Sequence, residues 1–140
     1  MRKRRLIIIG LLAVMLLASV GLTALARAKS RAESLACASS IVSVCHGGLL
    51  WAQDHGGYFP TNFLMASNEI VTPQVVSCDR SRRVRSWAEF TPAHSTYEIV
   101  TPGVHEDATN TVFIRCTIHG HLGYPDRTVF DGVRRRGKFG

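Results

Sequence analysis

The side chains best suited to chemistry are sulfur and imidazole donors near the C-terminal end. Cys116, His119 and His121 lie close together, and Cys78-Asp79 stands apart from them. Cysteine and histidine at such spacing can enclose a zinc ion in a tetrahedral set. A plainer use also exists. Cys78 and Cys116 end two β-forming runs, and a disulfide between them would close a loop of about 38 residues, contributing about 3–4 kcal/mol. His119 and His121 would then sit on a polar loop. The Cys78–Cys116 disulfide is the first expectation, free thiols the second, and zinc on Cys116, His119 and His121 the third. No cofactor is expected beyond these alternatives.

Other arrangements lead nowhere catalytic. Cys45-His46 has the ending of a c-type haem attachment, but Val42 occupies the position where the first cysteine is required. Cys37 and Cys45 are eight residues apart, about 80° around a helix and about 12 Å along it. They cannot pair within a straight helix and read as small core residues. No G-x-S-x-G elbow accompanies the serines. A contact between His121 and Asp131 across the last strands would fix a loop. The reading is therefore non-enzymatic, with no small-molecule substrate.

These residues must be positioned by what precedes them. Leu6 to Ala26 is a run of 21 residues without a charge, and Met1-Arg-Lys-Arg-Arg5 stands before it. About 20 apolar residues at about 1.5 Å rise span the hydrocarbon of a bilayer as a helix. The leader supplies four of the 17 basic residues and none of the 10 acidic ones. Of the formal +7, residues 27–140 therefore keep only +3. The remaining excess lies in patches: Arg27, Lys29 and Arg31; Arg80, Arg82, Arg83 and Arg85; Arg134, Arg135, Arg136 and Lys138. No nucleic-acid motif accompanies them, so nucleic acid is not an expected partner. Ala24-Leu25-Ala26 has the small-x-small pattern of a signal cleavage site. The apolar run exceeds the usual signal length, and the Arg/Lys cluster holds the N-terminus in the cytoplasm. A retained anchor is the favoured reading.

The helical pattern continues past the span. No glycine lies between Gly21 and Gly47, and no proline occurs before Pro60. Leu35, Ala38, Val42, Cys45, Leu49 and Ala52 recur at steps of three and four, which places them on one helix face, widened by Ile41 and Val44. Gly47-Gly48 should weaken the helix by about 1 kcal/mol per glycine. Asp54-His55-Gly56-Gly57 and Pro60 should stop it. Beyond Tyr58, β-forming runs appear at Gln74–Cys78, Thr96–Val100, Thr111–Cys116 and Arg127–Phe130. Asp131-Gly132 between Thr128–Phe130 and Val133-Arg134 predicts a tight hairpin. The expected fold is α+β, a long N-terminal helix with a transmembrane first half, packed on an antiparallel sheet of three or four strands. The expected divisions are a basic leader at 1–5, a span at 6–26, an amphipathic continuation at 27–57, and a β-rich domain with a basic tail at 58–140.

Several segments carry a resemblance. Ala24-Leu-Ala-Arg-Ala-Lys-Ser-Arg-Ala32 followed by Cys37 resembles the stretch beyond the pilin hydrophobic helix. Trp51–Pro60 resembles the helix exit, and Ser77-Cys-Asp79 and Arg115–Gly120 are similar to cysteine-bearing segments. His121 followed by nine residues and Asp131-Gly132 looks like an H-x9-D-G signature. In this order they resemble a type IV pilin-like protein, or pseudopilin, of the type II secretion and pilus superfamily, in its planctomycete and verrucomicrobial branch. One feature departs from the pattern. The family's start is Gly followed by Phe-Thr-Leu-x-Glu, whereas Gly10 here precedes Leu11-Leu-Ala-Val-Met15, and the span holds no acidic residue. This weakens the expectation of processing and filament assembly.

The resemblance implies a non-catalytic, membrane-anchored component of a type II secretion or pilus-like assembly. Its expected place is the bacterial inner membrane as a single-pass protein, with a cytoplasmic N-terminus and an extracytoplasmic C-terminal domain. Membrane lipid and other pilin-like subunits or secretion-machinery proteins are the expected partners, with Gly10, Ala13, Ser19 and Gly21 allowing close helix approach. The competing reading is an exported module, released after Ala26, that binds zinc through Cys and His.

Overall fold

The computed structural model describes residues 2–132 and 135–136. Arg134 and Lys138 of the C-terminal basic patch, and Val133 of the expected hairpin, lie outside the described residues. The chain forms two compact units, Met1–Ser34 and Leu35–Gly140. A single 53-residue helix, α1 (Arg2–Asp54), supplies the first unit and the start of the second.

In the first unit the apolar side chains face outward, Ile7, Leu11, Met15, Leu17 and Leu22 among them. The polar side chains of this stretch are satisfied internally. Ser19 Oγ donates to the Leu16 carbonyl at 2.8 Å, and Thr23 Oγ1 to that of Val20 at 2.9 Å. Hydroxyls bonded in this way do not require water, which suits an apolar surrounding. The helix is long and apolar enough to cross a membrane. Beyond the apolar run, Lys29 and Glu33 form a loose, exposed i,i+4 ion pair at 3.9 Å.

In the second unit α1 buries one face: Cys37, Ala38, Ile41, Val44, Cys45, Gly48 and Ala52. Val42 and Leu49 pack at its margin. Leu35, expected in the stripe, is instead 53% exposed. The packed face is centred on Ile41, Cys45, Gly48 and Ala52, and Leu35 lies well round the helix from that centre. Gly47-Gly48 does not interrupt the helix. A Cβ on Gly48 would lie 2.9 Å from the Phe59 ring, so this glycine lets the helix backbone approach the core. The stop falls where expected. Gly57 N–H bonds the Ala52 carbonyl at 2.8 Å, with Gly56 and Gly57 at φ 69° and 84°.

Five short strands follow: β1 (Tyr97–Ile99), β2 (Ile114–Cys116), β3 (Leu122–Gly123), β4 (Val129–Phe130) and β5 (Arg135–Arg136). They form one antiparallel meander in chain order. The α+β expectation of a long helix packed on a small antiparallel sheet holds. Its strand assignments need correction. Gln74–Cys78 is no strand: Pro73–Val76 forms a 3-10 turn, started by Pro73 and capped by Thr72, whose hydroxyl accepts from Gln74 N at 3.3 Å. The strands at Thr111–Cys116 and Arg127–Phe130 shorten to their last three and two residues. Arg127 has a φ of 66°, which ends extended structure there. β4 pairs with β5 through Phe130↔Arg135, two positions further along than a two-residue turn at Asp131-Gly132 would place the partner.

The core between helix and sheet holds Ile41, Val44, Phe59, Val76, Phe113, Ile114 and Val129, with Phe59 and Phe113 edge to face at 4.7 Å. Gly123 of β3 sets the closeness of this packing. A Cβ there would lie 2.5 Å from Ile41 Cγ2 and 2.8 Å from Cys45 Sγ. Gly123→Ala is therefore expected to destabilise the chain by about 1–3 kcal/mol through overpacking. Thermal unfolding of the detergent-solubilised protein checks this. In an Ile41→Ala background the cost of Gly123→Ala should shrink; equal costs in both backgrounds would place the clash elsewhere.

Candidate functional site

Four donors from separate stretches meet inside the second unit: Cys37 on α1, Cys78 after the 3-10 turn, Cys116 at the end of β2, and His119 in the β2–β3 turn. One ligating atom from each lies within 4.8 Å of all the others. Cys78 and Cys116 Sγ atoms are 3.5 Å apart, and Cys116 Sγ is 3.8 Å from His119 Nδ1. Cys37 and Cys116 are buried, whereas Cys78 and His119 are half-buried, so the cluster lies at the edge of the core. No S–S bond joins Cys37, Cys45, Cys78 or Cys116 in this structure.

Local structure fixes each donor. β2 pairs with β1 through Tyr97↔Cys116, which places Cys116 at the end of the ladder. The chain then turns so that His119 N–H points at Cys116 Sγ at 3.3 Å, while Gly120 N–H bonds the Cys116 carbonyl at 3.0 Å. Gly120 takes a φ of 70° to close the turn. Cys78 is held by buried Thr96, whose Oγ1 accepts from Cys78 N–H at 2.8 Å and lies 3.3 Å from its Sγ. Thr96 also receives both the N–H and the hydroxyl of Thr117 on its carbonyl, each at 2.9 Å. Tyr97 reaches α1, donating its phenol to the Cys37 carbonyl at 3.3 Å and approaching Cys37 Sγ at 3.7 Å.

The electrostatics single out one sulfur. A hydrogen bond from Cys37 lowers Cys116 most, and the backbone N–H groups of His119 and Ile118 add to it; against the opposing effect of burial they bring its pKa down to about 4. Cys37 moves upward, first because of the hydrogen bond it shares with Cys116 and then because of burial. Burial also raises Cys78, opposed by the Thr96 hydroxyl. Tyr97 is raised first by burial and then by the neighbouring Cys37, so it stays a donor.

The structure brings Cys116 and His119 together, as the sequence spacing suggests, and adds Cys78 and Cys37. His121 is not among the four. It is buried, its carbonyl accepts the Cys116 N–H at 2.8 Å, and its ring stacks on His119 with centroids 5.8 Å apart. Cys45 is buried against Gly123 outside the cluster, and burial pushes its thiol upward. His46 beside it is exposed, so the two neighbours point apart. Sequence reasoning missed Cys37 as a member because it read as a core residue. Chemically, three sulfurs and one imidazole can hold a soft metal ion, and Cys78 with Cys116 is the pair placed for oxidation.

Of the basic patch at 80–85, Arg83 is engaged, its Nε donating to the Ser77 carbonyl at 3.1 Å, and Arg82 sits 3.6 Å from Asp79. Arg80 and Arg85 are exposed. Asp79 accepts from the Ser81 hydroxyl and N–H, which hold its carboxyl below the usual range.

The dependence of the cluster on Thr96 is testable. Thr96→Val keeps the shape and removes the hydroxyl bonded to Cys78 N–H, an expected loss of about 1–3 kcal/mol from an unpaired amide. Tyr97→Phe should cost less, about 0.5–1.5 kcal/mol, because a single long hydrogen bond to the Cys37 carbonyl is lost. Thermal unfolding of both variants gives the order; a milder Thr96→Val would assign the Cys78 loop a different support.

No protein-family model, curated protein or solved structure matches this chain.

Proposed function

We propose that this chain is a membrane-anchored, pilin-like structural subunit, non-catalytic, of a type II secretion or pilus-like assembly. The observation that carries the reading is the single unbroken helix of 53 residues. Its apolar stretch is exposed all round, and its last turns bury one face against a small antiparallel sheet. The order of cysteine-bearing segments and the His121–Asp131-Gly132 spacing support the same family. In this reading Leu6–Ala26 lies in the bacterial inner membrane, the basic leader stays in the cytoplasm, and the amphipathic continuation at 27–57 leads into an extracytoplasmic domain at 58–140.

The helix surface suits association as well as anchoring. A Cβ on Gly10 or Gly21 would meet nothing within 4 Å. Such positions let the helices of neighbouring subunits approach in lipid, where packing replaces the hydrophobic effect as the driving force. Met15 stands where pilins carry a glutamate, so subunit register in this chain would rest on shape and not on a buried charge. The exposed Arg80 and Arg85 are then available to acidic partners or lipid head groups.

Two measurements test the reading. The N-terminal sequence of the mature protein from the membrane fraction should retain the span, starting at Met1 or at Leu11. A start at Arg27 would remove the anchor and with it the proposal. In-membrane cross-linking through a Gly10→Cys variant should capture another pilin-like subunit or a second copy; a chain that stays monomeric in the intact membrane would argue against assembly.

A further inference from the structure

We propose that Cys37, Cys78, Cys116 and His119 form a structural zinc site that ties α1 to the sheet. The convergence of four soft donors is the first ground. A tetrahedral ion with Zn–S of about 2.3 Å and Zn–N of about 2.0–2.1 Å needs donor–donor edges of about 3.5–3.8 Å. The two distances at Cys116 are 3.5 Å to Cys78 Sγ and 3.8 Å to His119 Nδ1, and the whole set lies within 4.8 Å. A tetrahedral ion would draw the remaining edges, which reach no further than 4.8 Å, in toward the same range. A Cys78–Cys116 disulfide would account for two of the donors and gives no reason for Cys37 and His119 to converge on them.

The surroundings are those of a metal knuckle. Cys116-Thr-Ile-His119 is a tight turn with two donors three residues apart, closed by a left-handed Gly120. The His119 N–H aimed at Cys116 Sγ offsets thiolate charge, as does the Tyr97 phenol near Cys37 Sγ. The Thr96 hydroxyl plays the same part beside Cys78. His121 stacks on the His119 ring and holds the Cys116 backbone, so it orients the ligands without being one.

Binding is an exchange without electron transfer. A hydrated Zn²⁺ sheds its waters, Cys37, Cys78 and Cys116 lose their thiol protons to solvent, and three Zn–S bonds and one Zn–N bond form. All four positions are then filled by protein, which leaves none for substrate or activated water. That makes the site structural and not catalytic.

The test uses the full chain, purified from membranes in detergent without a histidine tag. Elemental analysis should give one zinc per chain, and titration of the thiols with a mercurial should release it to a colorimetric zinc indicator. Cys37→Ser and His119→Ala should each weaken zinc retention against a chelator at least tenfold, whereas Cys45→Ser, which lies outside the cluster, should keep one zinc per chain. If the ligand variants do not fold, cobalt loaded into the native chain decides. Intense tetrahedral d–d bands with thiolate charge transfer support the site, and weak octahedral bands overturn it. The proposal also fails if the native chain carries no stoichiometric zinc, if Cys78 and Cys116 are recovered as a disulfide, or if His121→Ala loses zinc while His119→Ala retains it.

Discussion

Strands of two and three residues make too few ladder hydrogen bonds to stand alone, so the sheet of this protein exists because a helix face covers it. That face runs from Cys37 to Ala52 and is built from small residues at its closest points. Gly48 admits the Phe59 ring against the helix backbone, and Gly123 admits Ile41 and Cys45 against β3. Each glycine sacrifices local propensity for proximity. In a unit of about 100 residues the burial available is modest, and shortening the distance between the layers is one way to increase dispersion contacts without adding residues. Phe59, Phe113, Ile114 and Val129 fill the space that this approach leaves.

The same closeness brings polar groups into the interior, and the fold handles them by pairing. Thr96 and Ser77 are buried; Thr96 receives the Cys78 N–H while its carbonyl serves Thr117, and Ser77 Oγ donates to the Asp79 carbonyl at 3.0 Å. Tyr97 spans the gap to α1. Thiols are a good choice beside such groups, since a protonated cysteine costs little to bury and still supplies a ligand when deprotonated. The sulfur that carries the lowest pKa, Cys116, is the one with backbone N–H groups directed at it. Cys45, which lies outside the cluster, shifts upward under burial.

Much of this fold is legible in the order of residues alone, and the failures have physical causes. The apolar run, the helical period to Ala52 and the Gly56-Gly57 stop are local signals, and local structure obeys them. The Gln74–Cys78 run looks like a strand by β-branching, but Pro73 fixes a turn-forming φ and Thr72 caps it, so the turn prevails. β3 has no signature: two residues, one of them Gly123, carry no alternation. Leu35 looks like part of the packed stripe because it is large and apolar, whereas the buried face is centred on Ile41, Cys45 and Ala52 and turns Leu35 outward. At the cluster, Cys116 and His119 are legible because they stand three positions apart in one turn. Cys37 and Cys78 reach the same place through tertiary structure, and no sequence spacing encodes that meeting.

The position of the cluster along α1 bears on what a metal would do there. Cys37 is the third residue of the unit Leu35–Gly140 and the first buried residue of the packed face. The other end of that face, at Ala52, is secured by the Gly57 backbone bond and by Phe59. Between them the face packs through apolar side chains such as Ile41, Val44 and Leu49, which resist sliding through shape. A tetrahedral ion bonded to Cys37 on one side and to Cys78, Cys116 and His119 on the other would add directional bonds at the end where α1 enters the domain. In the proposed anchored subunit, any pull on the helix from the membrane reaches the domain at that end first. A helix register slip of one residue would rotate Cys37 by about 100° away from its partners, so the ion would hold register as well as position. The apolar face and the metal would thus act on different quantities. Packing supplies most of the burial, and coordination specifies which turn of α1 meets the sheet.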